Sequence, residues 1–444
     1  MAYEKNGYPI EQASKIGHLK LTNNAVITQI ISQFEEPIIN YEDYPNATGK
    51  ADLSIGNLLE RVITIDGGQA TVPNEYRPEK QLSFIQVAAC MLKLSDLEYL
   101  RTHPMVDPRD LGKYISEPWY HPMVLPHAGV RLPWKTVKET MRSLIDAGLQ
   151  QTGLYETLKF LVYREWEDEY SIPESEQPHM NCWSCGTEFI LRRHALSYSC
   201  PACGHDHRLS DYLQIGADSS EDWTKEETAS SVRNVLETLT LFHFLRIYQG
   251  TPALSNTLFI KDGPFLLRAQ LSRLVQPIRD FISHLYYSGN KIFIVGIEKS
   301  GEVADYAAAY NKGDKLREEG DYLLPSIKFL VEEISGGNVT KEYRNRVSYG
   351  VKMIYKSGPD HVLVLNLPVV NYPKDSKNHN LAQSPVIDDL IGFHDIAKTL
   401  SQLLSYQYPN ALLPIVLANS TVSIARKPSG GILHAFTSHY MGGV

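Results

Sequence analysis

Long apolar runs are missing from this chain. The longest, His361 to Val370 (HVLVLNLPVV) and Ala411 to Ala418 (ALLPIVLA), fall far short of the roughly 20 residues a spanning helix needs, so no membrane segment is expected. The start, MAYEKNGYPIEQ, lacks a basic stretch followed by an apolar one, which argues against secretion and for a cytoplasmic location. An excess of positive charge is missing too. With 43 Lys and Arg against 51 Asp and Glu the net charge is -8, which excludes a protein coated in basic residues for indiscriminate nucleic-acid binding. A local basic groove stays open, with Leu191-Arg192-Arg193-His194 and Lys341-Glu342-Tyr343-Arg344-Asn345-Arg346 as candidate patches or, equally, solvated faces. Internal repeats and low-complexity stretches are absent. What remains is 444 residues at 43% hydrophobic content, enough for one large domain with an insert, or for two domains.

Cysteine is scarce, and its placement is informative. Four of the five form Cys182-x-x-Cys185 and Cys200-x-x-Cys203, fourteen residues apart, each pair followed by a glycine. Two such turns present four thiolates tetrahedrally, which suits Zn²⁺ in a closed, structural zinc ribbon. Disulfides are the competing reading, disfavoured in a chain without a secretion signal. His205 and His207 follow the second knuckle and read as surface residues or as neighbours of the ligands, since four sulfurs already satisfy the ion. Cys90, in the apolar run Ile85 to Leu92, reads as a small buried hydrophobe.

Two Asp-Gly dipeptides close short apolar runs: Ile65-Asp66-Gly67-Gly68 after Arg61 to Ile65, and Lys261-Asp262-Gly263-Pro264 after Leu258 to Ile260. Runs this rich in β-branched residues read as central strands with an acid at each tip. Acids brought together raise each other's pKa unless a cation lies between them, and a divalent metal is the usual one. Each Asp-Gly also fits a plain hairpin turn.

Along the chain, the first fifty residues read as a helical lead-in ending in a loop at Tyr44 to Gly49. A strand then ends at Asp66 and turns through Gly67 and Gly68 into a second strand at Ser83 to Leu92. Leu94 to about Arg164 reads as mostly helical and is interrupted by prolines, and 175–215 as an inserted zinc module. Trp223 to Tyr248 shows the apolar spacing of a long amphipathic helix carrying Glu237. Strand, Asp262-Gly263, helix (Pro264 to Ser288) and strand (Lys291 to Ile297) make a βαβ unit ending at Lys299. Strands at Lys352 to Lys356 and His361 to Leu367, a helix near Asp388 to Tyr406, and a segment from Pro409 to Ile424 complete an α/β architecture. Glu237 has the alternative of an exposed helix residue, and Lys299 of a solvated loop lysine.

Read in order, Ile65-Asp66-Gly67-Gly68, Arg233-x-x-x-Glu237, Lys261-Asp262-Gly263-Pro264-Phe265-Leu266, Val295 to Ser300 (VGIEKS) and Tyr408-Pro409 with Pro414 to Asn419 (PIVLAN) resemble the NurA family of nucleases, over most of residues 55–425. The resemblance implies an RNase H-like central mixed sheet flanked by helices, split into 51–174 and 216–444 around the ribbon at 175–215 and preceded by the lead-in at 1–50. It implies Asp66, Glu237 and Asp262 as Mn²⁺ or Mg²⁺ ligands, with Lys299 beside them to neutralise charge on a phosphate. It also implies in-line hydrolysis of DNA phosphodiesters, a homodimer, and a HerA-type hexameric ATPase as partner in DNA end processing and repair or in antiviral defence.

Two departures stand out. Asn419 occupies a position where the family carries histidine, and asparagine cannot shuttle a proton near neutral pH. His394, His434 and His439 are candidate substitutes. The ribbon, which lies between the first aspartate and the helix glutamate, is expected to contact DNA or a partner. The alternative function is a catalytically degenerate scaffold that docks on the ATPase and binds DNA. A sugar-kinase-like phosphotransferase is disfavoured, because Gly336-Gly337-Asn338 and Ser429-Gly430-Gly431 lack the strand-turn-helix context of a phosphate loop.

Overall fold

A computed structural model describes residues 4–5, 8–9, 21–34, 43–73, 80–96, 118–126, 130–168, 171–193, 195, 197–215, 225–370, 385–405, 410–424 and 428–441. The chain divides into two compact units, Met1–Asp43 and Tyr44–Val444. The first holds a short antiparallel pair, β1 (Glu4–Lys5) and β2 (Tyr8–Pro9), and helix α1 (Ala25–Ile31), which is capped by the Asn24 side chain accepting from Val26 and Ile27 N–H.

The second unit is built on a nine-stranded mixed sheet. Its strands are β3 (Ala47–Lys50), β4 (Arg61–Pro73), β5 (Gln81–Lys93), β6 (Trp119–Pro126), β11 (Thr257–Asp262), β12 (Phe293–Glu298), β13 (Asp321–Leu324), β14 (Val351–Gly358) and β15 (His361–Leu367). Their spatial order is β3-β13-β14-β15-β12-β11-β4-β5-β6. Strands β4, β5 and β6 form an antiparallel meander, while β11 lies parallel to β4, and β12 parallel to β11. The β11-to-β12 connection is a helix, α5 (Val275–Tyr287), which gives the expected βαβ unit.

Helices cover both faces. On one, Ile63, Ile65, Ile85, Val87 and Phe259 pack with Val235, Leu239 and Phe242 of α4 (Lys225–Tyr248). On the other, Val62, Leu92, Leu258 and Ile260 pack with Ile396 of α8 (Phe393–Ser401) and with Ile415 and Leu417 of α9 (Leu413–Val422). A strand covered on both sides reads as a continuous apolar run, which explains Arg61 to Ile65. Further helices among the described residues include α2 (Val137–Gln151), α3 (Leu154–Val162), α6 (Glu302–Lys312), α7 (Lys341–Val347) and α10 (Ser429–Met441).

Several sequence expectations are corrected. Asp66 does not end a strand, and Gly67-Gly68 is no turn: β4 runs thirteen residues, paired without a break from Arg61↔Lys93 to Pro73↔Gln81. Both glycines are there for lack of a side chain. A Cβ on Gly67 would lie 2.6 Å from Glu237 Oε1, and one on Gly68 1.9 Å from the Val422 carbonyl oxygen. The second dipeptide does turn, since Asp262 ends β11 and Gly263 has φ +104. Tyr44 to Gly49 is partly strand, with β3 joining the sheet edge beside β13. The expected helical stretch before Arg164 contains β6, which pairs with β5; its portion at 97–117 lies outside the described residues. Helix α4 is not a one-sided amphipath. From Val235 to His243 every residue is buried, because the sheet, α3 and further elements enclose it. The helix expected from Pro264 begins only at Val275, after a 3-10 turn at Ala269–Leu274. Neither α6 nor β13 was anticipated.

Gly68→Ala is expected to destabilise the fold by about 1–3 kcal/mol, the usual cost of overpacking, by pushing α9 off the sheet. A lower denaturation midpoint checks this; an unchanged midpoint removes the close-approach role.

Candidate functional site

Register brings the two aspartates together. Lys261 on β11 lies opposite Ile65 on β4, so Asp262 and Asp66 hold the next positions of neighbouring parallel strands. Glu237 arrives from α4, with its carboxylate above Gly67. Lys299 follows β12, and its Nζ is 2.7 Å from Asp262 Oδ2. The four residues implied by the motifs therefore gather at the carboxyl end of β11.

Their charges are unevenly compensated. Glu237 is paired twice, with Lys261 Nζ at 3.1 Å and Arg233 Nε at 3.4 Å. Lys261 is fully buried and its ammonium also lies 3.4 Å from the Asp262 carbonyl oxygen and 3.5 Å from that of Pro264. Burial nevertheless pushes the Glu237 carboxyl upward against the pull of Lys261 and Arg233. Asp66 has no such cation bonded to it. Only 5% exposed, it accepts the Gly67 N–H on Oδ1 at 2.7 Å, and Oδ2 is buried with no hydrogen-bond partner. Burial first, then the charges of Asp262 and Glu237, push Asp66 up to about 7, against Lys299 and the Gly67 N–H.

The carboxylates do not close into a ligand shell by themselves. Among the described residues, only one group of three or more His, Cys, Asp or Glu side chains has its ligand atoms within 4.8 Å of one another, and that group is the cysteine quartet. Alternation along β4 explains the spread: Gly67 looks toward Glu237, whereas Asp66 shares the opposite face with Gly68 and α9.

The candidate histidines stand apart from this cluster. His394 lies at the start of α8, where its backbone carbonyl abuts Gly56. His434 and His439 lie on α10. Asn419 is exposed on α9, while Thr421 of that helix lies 3.5 Å from Cys90 Sγ and the Val422 carbonyl meets Gly68 on the face that Asp66 shares. Cys90 is buried, as its apolar surroundings imply.

In the ribbon, two hairpins carry the knuckles: β7 (His179–Asn181) with β8 (Glu188–Ile190), and β9 (Ser197–Ser199) with β10 (Asp206–Arg208). Each turn closes alike, with Gly186 N–H on the Cys182 carbonyl and Gly204 N–H on that of Cys200, both at 2.9 Å. Positive φ of 77 and 70 makes glycine the fitting residue at both. Cys182 and Cys203 sulfurs are 3.5 Å apart, and those of Cys185 and Cys200 3.6 Å. These spacings exceed the roughly 2.05 Å of a disulfide and approach the roughly 3.8 Å expected of thiolates sharing one tetrahedral ion. Burial opposes ionisation of Cys182, yet N–H groups of Cys185 and Ser184, with His207 and Cys203, lower it to about 5. His207 is not a surface residue. It is 1% exposed, with Nε2 3.3 Å from Cys182 Sγ and Nδ1 3.7 Å from Asp211, which Arg142 holds in turn.

Neither expected basic patch is a simple exposed face. Arg193 donates to the Glu167 carbonyl, and Arg344 donates to Ser335 beside Glu302. His194 lies outside the described residues. Sequence reasoning passed over Lys261 and Arg233 as partners of Glu237, although the i, i+4 spacing of Arg233 and Glu237 signals the second. No helix among the described residues is long and apolar enough to cross a membrane. No protein-family model matches the chain, and no curated protein matches it.

A raised folded-state pKa favours the protonated carboxyl, so stability present at low pH is lost as pH rises from about 4 through 7. In metal-free protein Asp66→Asn is therefore expected to be more stable than wild type at pH 8, by several kcal/mol, with the gap narrowing toward pH 4. Urea titrations at both pH values check this; an equal gap at both would show that Asp66 ionises freely.

Proposed function

We propose that this protein is a divalent-metal-dependent DNA nuclease of the NurA type, with an RNase H-like core, acting as a homodimer with a HerA-type hexameric ATPase in the cytoplasm. One observation carries the reading: register sets Asp66 beside Asp262, with Glu237 across the strand at Gly67, and Asp66 Oδ2 is buried without a partner while Asp262 and Glu237 act on it as negative charges. Hard carboxylate oxygens with one uncompensated charge suit Mn²⁺ or Mg²⁺ as donor set. The sheet supports it as well, since an antiparallel meander followed by two parallel strands entered through helices is the arrangement an RNase H-like core requires.

A bound ion, held by Asp66 and Asp262, would supply Lewis acidity to a scissile phosphate, with Glu237 drawn in from across β4 to complete the donor set. The chain's own residues do the rest. Lys299, partly exposed, orients Asp262 and places positive charge where phosphate oxygens gather during in-line displacement. Lys261 and Arg233 hold Glu237 in position. Asp66 keeps a proton near neutrality until its charge is compensated.

Mn²⁺-dependent cleavage of end-labelled DNA, with and without the ATPase, tests this. Wild type is expected to cut and Asp66→Ala/Asp262→Ala to lose at least about a hundredfold, the lower scale of removing a key electrostatic group. Mn²⁺ is also expected to raise the melting temperature of wild type and not of the double variant. The degenerate-scaffold reading is favoured by Glu237 already being neutralised by two cations; DNA or ATPase binding without cleavage under any condition would establish it and sink the nuclease.

For the cysteine quartet we infer one structural zinc per chain, with all four positions filled by sulfur. Cys182→Ser is expected to remove that zinc and expose the ribbon to protease. Metal analysis finding no zinc in wild type would reject the assignment.

A further inference from the structure

The segment leading into α2 presents an aromatic ring in an unusual way. Trp134 is fully exposed (103%) and has φ 64, the left-handed region that a bulky side chain rarely adopts. Both features cost free energy: an indole left in water, and strained backbone beneath it. The loop that holds it is nonetheless tied down. Leu132 N–H donates to Thr140 Oγ1 at 3.0 Å, Lys135 N–H to the Leu132 carbonyl at 3.2 Å, and Lys135 Nζ to Ser143 Oγ at 2.7 Å. Thr136 and Glu139 close a capping box on the next turn. The ring is thus held outward by a fixed frame.

The charge around it is mostly positive. Arg131, Lys135 and Lys138 fall within eight residues, the adjoining acid, Glu139, is taken up by the Thr136 N–H and hydroxyl, and Arg142 is already paired with Asp211. In a chain of net charge -8 such a cluster is local enrichment. It also runs onto the ribbon: Lys138 and Arg142 lie 4.9 and 5.0 Å from the ring centre of Trp183, in the first knuckle.

We propose that this face, from Arg131 through Trp134 to the knuckle at Trp183, binds single-stranded nucleic acid by stacking a base on Trp134 while the cations follow the phosphates. A planar ring among cations is what an unpaired strand needs, because every base offers a π-face and every linkage a negative charge. Duplex conceals its base faces and leaves the ring unused. A protein partner would be served by a broad apolar patch, whereas the apolar exposure here is one ring with Leu132 and Val137 beside it. The proposal extends the nuclease reading by naming a strand form and a place away from the acidic cluster, and it does not depend on cleavage.

The test is binding of fluorescent oligo(dT), followed by anisotropy, with no Mn²⁺ or Mg²⁺ added. Trp134→Ala is expected to weaken binding at least about fivefold, the lower range for losing one stacked base, and Trp134→Phe to restore most of it. Arg131→Gln/Lys135→Gln is expected to reduce the slope of log affinity against log salt by about 1.4, two single-strand contacts' worth. Unchanged melting temperatures would exclude misfolding, since the ring makes no buried contact. Equal affinity of wild type and Trp134→Ala, equal loss on duplex, or no binding by wild type overturns the proposal. So does a Trp134→Ala variant that changes only self-association, which would assign the face to a second copy. Cleavage failing while this binding persists would sink the nuclease reading alone.

Discussion

Everything in the larger unit hangs from the unbroken ladder of β4. It pairs antiparallel with β5 along its full thirteen residues and parallel with β11 along the first part. That makes it the line where the sheet changes from meander to parallel order. Because helices cover both faces, its side chains have nowhere to go but the interior, and so Asp66 is buried by the same pairing that fixes the core. Gly67 and Gly68 let the cover come close: α4 brings Glu237 against one face and α9 brings the Val422 carbonyl against the other. A strand ending at Asp66 would have left that carboxylate in solvent and the two helices without a surface to share.

Charge in the interior is arranged around this line. Lys261 with Glu237, Lys299 with Asp262, and Lys352 with Glu298 and Asn366 form a band at the ends of β11, β12 and β15. Buried ions are tolerable when paired and hydrogen-bonded, and removing one partner costs more than the pair contributes. Asp66 is the exception in the band, and burial first, then its negative neighbours Asp262 and Glu237, hold its proton near neutral pH. The ribbon follows the same logic with softer atoms: backbone N–H groups and His207, backed by Asp211 and Arg142, favour the Cys182 thiolate.

Motif order made the candidate acids legible, because Asp66, Glu237, Asp262 and Lys299 sit beside apolar runs that report burial directly. Local chemistry made the knuckles legible, since Cys-x-x-Cys-Gly is a complete turn within five residues. Asp66-Gly67-Gly68 was misread for a reason of the same kind. Gly in an apolar run signals a turn when only neighbours in sequence are known, and a close approach when the helix above is known. Helix α4 was legible as a helix but not as a buried one, because its enclosure comes from elements far away in sequence. Strand β6 was hidden among prolines; as an edge strand it tolerates Pro122 and Pro126, which an interior strand would not.

The sequence by itself determined the α/β character, the βαβ unit at Asp262 and the paired cysteine turns, all of which depend on periodicity, turn residues or spacing within a few dozen positions. Only the tertiary structure decided that Asp66 lies inside a strand, that Glu237 already has Lys261 and Arg233, that His207 backs a sulfur, and that Trp134 stands in the open. These facts concern which surfaces cover which. Covering is a property of residues that meet in space from distant parts of the chain, and no local pattern encodes it.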